Sequence, residues 1–202
     1  MDTKKSVKKQ KKEMRNLEIR LASDLQIDSV VDGDGLRTVI WTQGCSHNCE
    51  GCHNPGTHDF NGGALVSVDV IKNDLINLKK FKAQEGITLS GGDPFFQCDA
   101  CTELAKYSKE IGLNVWAYTG FVFEDILKNN KQLELLKHID VLVDGKFEIN
   151  KKNLNLPFRG STNQRIIDVK KSLQQNKVVL VERYASNEKK EIRYERESYM
   201  FI

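Results

Sequence analysis

The run Cys45-Ser46-His47-Asn48-Cys49-Glu50-Gly51-Cys52 puts three thiols into one short loop, with three and then two residues between them. Thiolates so spaced can fold over one face of an iron–sulfur cubane, each binding a different iron, and the fourth iron is then left without a protein ligand. Iron–sulfur sites that only carry electrons are usually held by four cysteines, so a vacant iron points to a [4Fe–4S] cluster that does chemistry on something bound to it. The competing reading is a structural zinc site of the three cysteines and one of His47, His53 or His58. Zinc ligands normally come as two separated pairs, whereas these three form one tight group. The cluster is therefore favoured, with His47 and His53 beside it rather than on it.

A site of this kind must be positioned by regular elements. The Asp32-Gly33-Asp34-Gly35 turn leads into a β-rich run from Leu36 to Trp41, and the folded part is expected to begin at Leu25. Ile87-Thr88-Leu89, Leu113 to Tyr118 and Ile139 to Val143 read as further strands. Ser67 is the expected N-cap of a first helix whose apolar stripe is Val70, Ile71, Leu75, Leu78 and Phe81, with Gly86 closing the unit. A second helix turns Ala100, Leu104, Ala105, Tyr107 and Ile111 inward and stops at Gly112. A third covers 123–138 with an interruption near Asn129-Asn130. Alternation of this sort implies parallel βαβ units. In parallel α/β sheets the ligand site lies at the carboxyl ends of the strands, and there the sequence places Cys45, Gly91-Gly92, Thr119-Gly120 and Asp144-x-Lys146.

The rest of the chain carries less chemistry. Its 202 residues suit one domain with a real core, taken as residues 14–202, with 174–202 as C-terminal strands. Residues 1–13 hold six lysines against Asp2 and Glu13 and a single apolar side chain inside the basic run, Val7, so they read as a solvated basic tail. Translation starting at Met14 would dispense with it. The net charge of +3 is thus concentrated in the tail, and the remainder, close to neutral, does not suggest a nucleic-acid binder. No apolar run approaches a membrane span and no signal peptide is visible, so a cytoplasmic protein is expected. Five cysteines, an odd number with three clustered, fit a reducing compartment rather than a disulfide framework. Cys98 and Cys101 read as core or surface thiols. Lys177 to Tyr184 and Ile192 to Ile202, separated by a turn at Ser186-Asn187-Glu188, look like extended runs that form a hairpin or edge strands, or contribute to a homodimer.

The motifs together resemble those of the activating proteins of anaerobic ribonucleoside-triphosphate reductase, within the radical S-adenosylmethionine superfamily and its glycyl-radical activase group. The match runs from about Ile27 to Leu173. It rests on Val31-Asp32-Gly33-Asp34-Gly35-x-Arg37, the cysteine loop ending in Gly51-Cys52-His53-Asn54-Pro55, Ser90-Gly91-Gly92-Asp93-Pro94, Asp140 to Phe147, and Phe158-Arg159-Gly160-Ser161-x-Asn163-Gln164-Arg165. The resemblance implies an incomplete parallel (β/α)6-type barrel. It implies that Cys45, Cys49 and Cys52 hold the cluster and that S-adenosylmethionine chelates the open iron. Gly51, Cys52 and His53 would border that cofactor, the Gly91-Gly92 backbone and Asp93 would take its ammonium group, and Asp144 and Lys146 would contact it as an acid-x-lysine pair, the lysine suiting a carboxylate. The implied reaction is reductive cleavage of S-adenosylmethionine, with an electron donor such as reduced flavodoxin, followed by hydrogen abstraction from a glycine of the reductase. Most of the superfamily has an aromatic residue where this chain has Gly51, so the residue that packs on adenine must come from elsewhere. An activase of another glycyl-radical enzyme, a non-enzymatic iron–sulfur electron carrier and a zinc-stabilised interaction module are the alternatives. The segment from Asn150 to Arg165 is a candidate wall for the opening that admits the reductase.

Overall fold

The computed structural model describes residues 17–185. The Lys-rich tail, Met14, the turn at Ser186-Asn187-Glu188 and the run from Ile192 lie outside them.

Four parallel strands form the centre: β3 (Arg37–Thr42), β5 (Gly86–Gly91), β6 (Asn114–Tyr118) and β7 (Val141–Asp144), paired in that order. Parallel neighbours need a crossover, usually helical. The connections supply α1 (Val68–Lys82), α2 (Cys98–Glu110), and α3 (Phe123–Ile126) with α4 (Asn130–Leu136). Ile40, Ile87, Leu89, Val115, Ala117 and Leu142 are fully buried between sheet and helices.

The sheet is wider than these four and its flanks run the other way. β1 (Glu18–Leu21) pairs antiparallel with β3 and with β4 (Ala64–Ser67), β2 (Gln26–Ser29) lies antiparallel on β3, and β8 (Arg165–Asp168) lies antiparallel on β7. The strand path is β4-β1-β3-β5-β6-β7-β8, open at both ends among the described residues, so the structure has four parallel strands rather than six. The return into β8 has a physical cause. Residues 145–164 contain only one short helical turn, Ile149–Lys151, so they lack the helix that usually carries a parallel crossover, and the strand returns antiparallel. Regular structure is already present before Leu25, since β1 starts at Glu18.

Several local expectations are corrected. Ser67 stands at the N-cap of α1 but makes no side-chain capping bond. The face of α1 that packs inward carries Val68, Ile71 and Leu75, whereas Val70 and Phe81 are exposed. Gly86 does not close the helical unit. Ala83, left-handed at φ 52°, does so, and Gly86 opens β5, where a Cβ would stand 2.6 Å from the Asn114 carbonyl. The break between α3 and α4 falls where expected, because the Asn129 side chain accepts from the backbone N–H groups of Lys131 and Gln132 and restarts the helix. The run from Lys177 to Tyr184 makes a single bridge, Leu180 to Ile167, and then turns into α6 (Glu182–Ala185). After α5 (Val169–Gln175) this stub is held by Tyr184, whose ring meets Phe158 and Trp116 edge-on at 5.3 and 6.2 Å.

The Asp32-Gly33-Asp34-Gly35-x-Arg37 motif is architectural here. Arg37 is wholly buried and donates to Thr88 Oγ1 (2.7 Å), Asn114 Oδ1 (2.6 Å), the Asp34 carbonyl (2.8 Å) and the Ile87 carbonyl. Burial pushes its guanidinium down to about 10. Gly33 leaves the space that the Trp116 ring fills, since a Cβ there would lie 2.8 Å from it.

Candidate iron–sulfur site

The carboxyl ends of β3, β5, β6 and β7 open into one cavity of about 460 Å³. Cys45, Cys49, Cys52, His53, Gly91, Gly92, Thr119, Gly120 and Gly145 all line it. Segments far apart in sequence thus meet because each follows a parallel strand.

The cysteine loop begins as β3 ends. Gly44, at φ 100°, donates its N–H to the Thr57 carbonyl (2.8 Å), and Cys45 donates to that of His58 (3.1 Å), so the loop returns on itself. Cys52 N–H closes onto the Cys49 carbonyl at 3.1 Å. All five cysteines are free thiols. Cys45 is buried and the other two loop cysteines are half-buried. Burial pushes the Cys45 thiol up, a cost that a bound cation offsets by stabilising the thiolate. The Cys52 sulfur receives the Asn54 N–H at 3.4 Å and lies 3.3 Å from His58 Nε2. Among the described residues no three Cys, His, Asp or Glu side chains gather about a single point. Three thiols spread over one cavity wall fit a cubane, in which each thiolate binds its own iron.

Gly91 and Gly92 are required by the chain itself. Gly91 has φ 111°, and a Cβ there would stand 2.4 Å from the Thr42 carbonyl oxygen; at Gly92 it would stand 2.5 Å from the Gly44 carbonyl. The Gly92 and Asp93 N–H groups donate to those same two carbonyls at 2.7 and 3.0 Å. The glycine turn is therefore pressed against the mouth of the cysteine loop.

Of the remaining expected residues, Asp93 and Asp144 sit behind the cavity surface, whereas Lys146 is exposed and His53 lines the cavity. Asp93 is 1% exposed. Its Oδ2 accepts from Thr119 Oγ1 (2.8 Å) and Gly120 N–H (2.9 Å) and lies 2.7 Å from His47 Nε2, while Oδ1 accepts from Phe95 N–H (2.9 Å). Asp144 is fully buried and faces Arg165 and the start of α3. Lys146 Nζ approaches the His47 carbonyl at 3.4 Å. Gly51, at φ 70°, makes room for Ile149, whose Cδ1 would meet a Cβ at 2.9 Å. His53 lines the cavity and stacks at 5.4 Å on Phe147.

Sequence reasoning missed part of the wall. Trp41, Tyr118, Phe147 and Phe158 also line the cavity, so aromatic surface is present although Gly51 supplies none. Trp41 and Tyr118 stand at or next to the last position of their strands, immediately before a polar or glycine-rich turn, and that placement was the available signal. Cys98 and Cys101 are buried in α2 and do not line this cavity.

Residues 31–167 match the family described as "4Fe-4S single cluster domain", a span that includes the cysteine loop and all four parallel strands. The chain is 40% identical over 140 residues to the anaerobic ribonucleoside-triphosphate reductase-activating protein of Enterobacteria phage T4, covering 67% of this chain and 86% of that one. The protein of the same name from Escherichia coli (strain K12) is 37% identical over 143 residues, covering 67% and 90%. Among solved structures, QueE from Escherichia coli shares 12% identity at TM-score 0.44 over 53% of this chain and 55% of its own, a likeness too partial to define the fold. An iron–sulfur domain built on a mixed α/β sheet is the class that these findings define. Within it, the chain belongs to the family of the anaerobic ribonucleoside-triphosphate reductase-activating proteins.

Proposed function

We propose that this protein activates an anaerobic ribonucleoside-triphosphate reductase by generating a glycyl radical on it, using S-adenosylmethionine at a [4Fe–4S] cluster held by Cys45, Cys49 and Cys52. The observation that carries this reading is the shared cavity, in which three free thiols face a Gly-Gly turn across the ends of parallel strands. The finer fold proposal is that of a radical S-adenosylmethionine enzyme, with an incomplete barrel open along one side.

Held by Cys45, Cys49 and Cys52, the cluster would supply the single electron for reductive cleavage of S-adenosylmethionine, the chemistry that would remove a hydrogen atom from a glycine α-carbon of the reductase. The chain's own contribution is binding, orientation and exclusion of water. The Gly91-Gly92 turn presents main chain to the cofactor's amino acid end, with Gly51, Cys52 and His53 bordering it. Trp41, Tyr118, Phe147 and Phe158 offer apolar surface for its adenine. Asp93 would take the cofactor's ammonium group and Asp144 and Lys146 would contact the cofactor, while the same carboxylates fix the loops that line the cavity. Asn150 to Arg165 forms the wall past which the reductase segment enters. An electron-donor protein such as reduced flavodoxin completes the system.

Mixing the reduced, cluster-loaded protein with S-adenosylmethionine and a candidate reductase should give a glycyl radical doublet by electron paramagnetic resonance. A brown, cluster-loaded protein that cleaves no S-adenosylmethionine would refute the reading in favour of an electron carrier. A colourless protein with stoichiometric zinc would refute it altogether.

A further inference from the structure

His47 stands between the first two cysteines, and its side chain reaches the ends of two other strands. Nε2 lies 2.7 Å from Asp93 Oδ2. A carboxylate oxygen only accepts, so Nε2 carries the donated proton. The ring packs against Phe121 at 4.6 Å, edge-on, and against Phe96 at 5.5 Å. It lies so close over Gly120 that a Cβ there would stand 2.4 Å from His47 Cδ2, and the three atoms nearest to that position all belong to this ring. The His47 carbonyl accepts from Lys146 Nζ at 3.4 Å. One loop residue therefore touches the segments that follow β5, β6 and β7.

The backbone does not do this work. The loop is pinned at its start by Gly44 and Cys45 and at its end by Cys52, but residues 46–48 make no backbone–backbone hydrogen bond among the described residues. Asn48 is itself left-handed, at φ 50°. The hydrogen bonds and ring contacts that join this stretch to the neighbouring strand ends are those of His47.

We propose that His47 is a positioning residue that registers the cysteine loop against the Gly91-Gly92-Asp93 turn, and so holds the three thiols opposite the main chain that would receive the cofactor. The proposal rests on the reading of residues 45–52 as the cluster loop. Gly120 is the other half of the device, because its missing side chain is what admits the ring. Gly120 has no positive φ in the left-handed range, so an alanine there meets no backbone strain, only His47.

The test uses His47→Ala, His47→Gln, Gly120→Ala and the double variant His47→Ala/Gly120→Ala. In the cluster-free chain, exchange of the hydrogen-bonded Cys45, Cys52, Gly92 and Asp93 amides should accelerate about tenfold or more in each alanine single variant, the factor expected when a hydrogen bond to a charged group is lost. His47→Gln, which keeps a donor, should recover part of the protection. In the double variant Gly120→Ala should add nothing. In the loaded protein, His47→Ala should raise KM for S-adenosylmethionine more than it lowers kcat, with iron content kept. Unchanged exchange in His47→Ala would overturn the proposal, as would additive effects of the two alanine substitutions or an unaltered KM in a variant that retains its iron. A wild-type chain that shows the exchange pattern but binds no cluster would instead sink the functional reading and leave the clamp standing.

Discussion

Asp144, at the end of β7, is gripped by Arg165 at the start of β8. Arg165 Nε donates to Oδ1 at 2.9 Å, while Asp144 Oδ2 accepts both from Arg165 and from the Phe123 N–H at 2.8 Å. The same guanidinium reaches Glu124 with two further bonds, at 3.0 and 2.8 Å. A carboxylate that is fully buried thus ties the antiparallel edge of the sheet to the first turn of α3. Removing Arg165 leaves it only the Phe123 N–H, and since Arg165 is itself 31% exposed the cost is expected at about 2 kcal/mol, below that of breaking a fully buried pair. Arg165→Ala is expected to lower the urea midpoint accordingly, and Asp144→Asn/Arg165→Ala should recover part of the loss.

The cysteines divide by location. Replacing Cys45, Cys49 or Cys52 by alanine should in each case abolish a stable four-iron cluster and all cleavage of S-adenosylmethionine. The Cys98→Ser/Cys101→Ser double variant should keep its iron and its cleavage activity, because both thiols sit in α2 away from the cavity wall. Iron analysis and product assay on the four proteins check this. Loss of iron from the double variant would give the pair a metal role.

Alkaline titration offers an independent check on Cys98. Burial raises its thiol from the ordinary 9.0 to about 11, so the folded chain keeps this proton over a range in which the unfolded chain has lost it. The associated stability is fully present below pH 9 and disappears as pH rises through 11, about 3 kcal/mol in all. Unfolding by urea at pH 8.5 and 11 should show a drop that is smaller in Cys98→Ala. An equal drop in both proteins would mean that other groups carry it.

Glycines near the site should differ sharply. Gly91→Ala forces a Cβ to 2.4 Å from the Thr42 carbonyl at φ 111°, while Gly56 has nothing within 4 Å of the equivalent position. The first substitution is expected to cost about 3 kcal/mol or more and to prevent cluster assembly; the second should change stability by less than about 1 kcal/mol. Thermal unfolding and iron content of the two variants decide the matter.

Leu154 tests the entrance. It is 79% exposed yet lines the cavity, at the tip of the segment closed by the Lys152 to Ser161 bridge. Leu154→Ser should slow glycyl radical formation on the reductase by about tenfold, the effect of losing one well-placed apolar contact, while S-adenosylmethionine cleavage without reductase is largely kept. Equal loss of both activities would put Leu154 in the cofactor site.

Most of the central sheet was legible because burial on both faces makes β5, β6 and β7 short apolar runs closed by glycine or polar turns. The flanks were not. β1 and β4 are four residues each, with polar or exposed positions and no local signal beyond what a loop would show. Their pairing is decided by partners dozens of residues away. The cysteine loop and Gly91-Gly92 could be read from residue type and spacing. The ligands of Asp93 could not, since its donors come from three separate segments and only folding brings them together. Asp93 and Asp144 look like free acids in the sequence and prove to be buried acceptors with their oxygens engaged.

The aromatic packing behind the cavity gives the protein a built-in optical reporter. The chain has two tryptophans. Trp41 lines the cavity, and Trp116 lies behind its wall, between Arg37, Phe158 and Tyr184. In Trp116→Phe the remaining indole should be quenched when a cluster or an adenine ring enters beside it. In Trp41→Phe the remaining indole should lose intensity on loading without changing its emission wavelength, and shift to longer wavelength when the wall loosens. Intrinsic fluorescence of the two variants would therefore separate filling of the cavity from opening of its side.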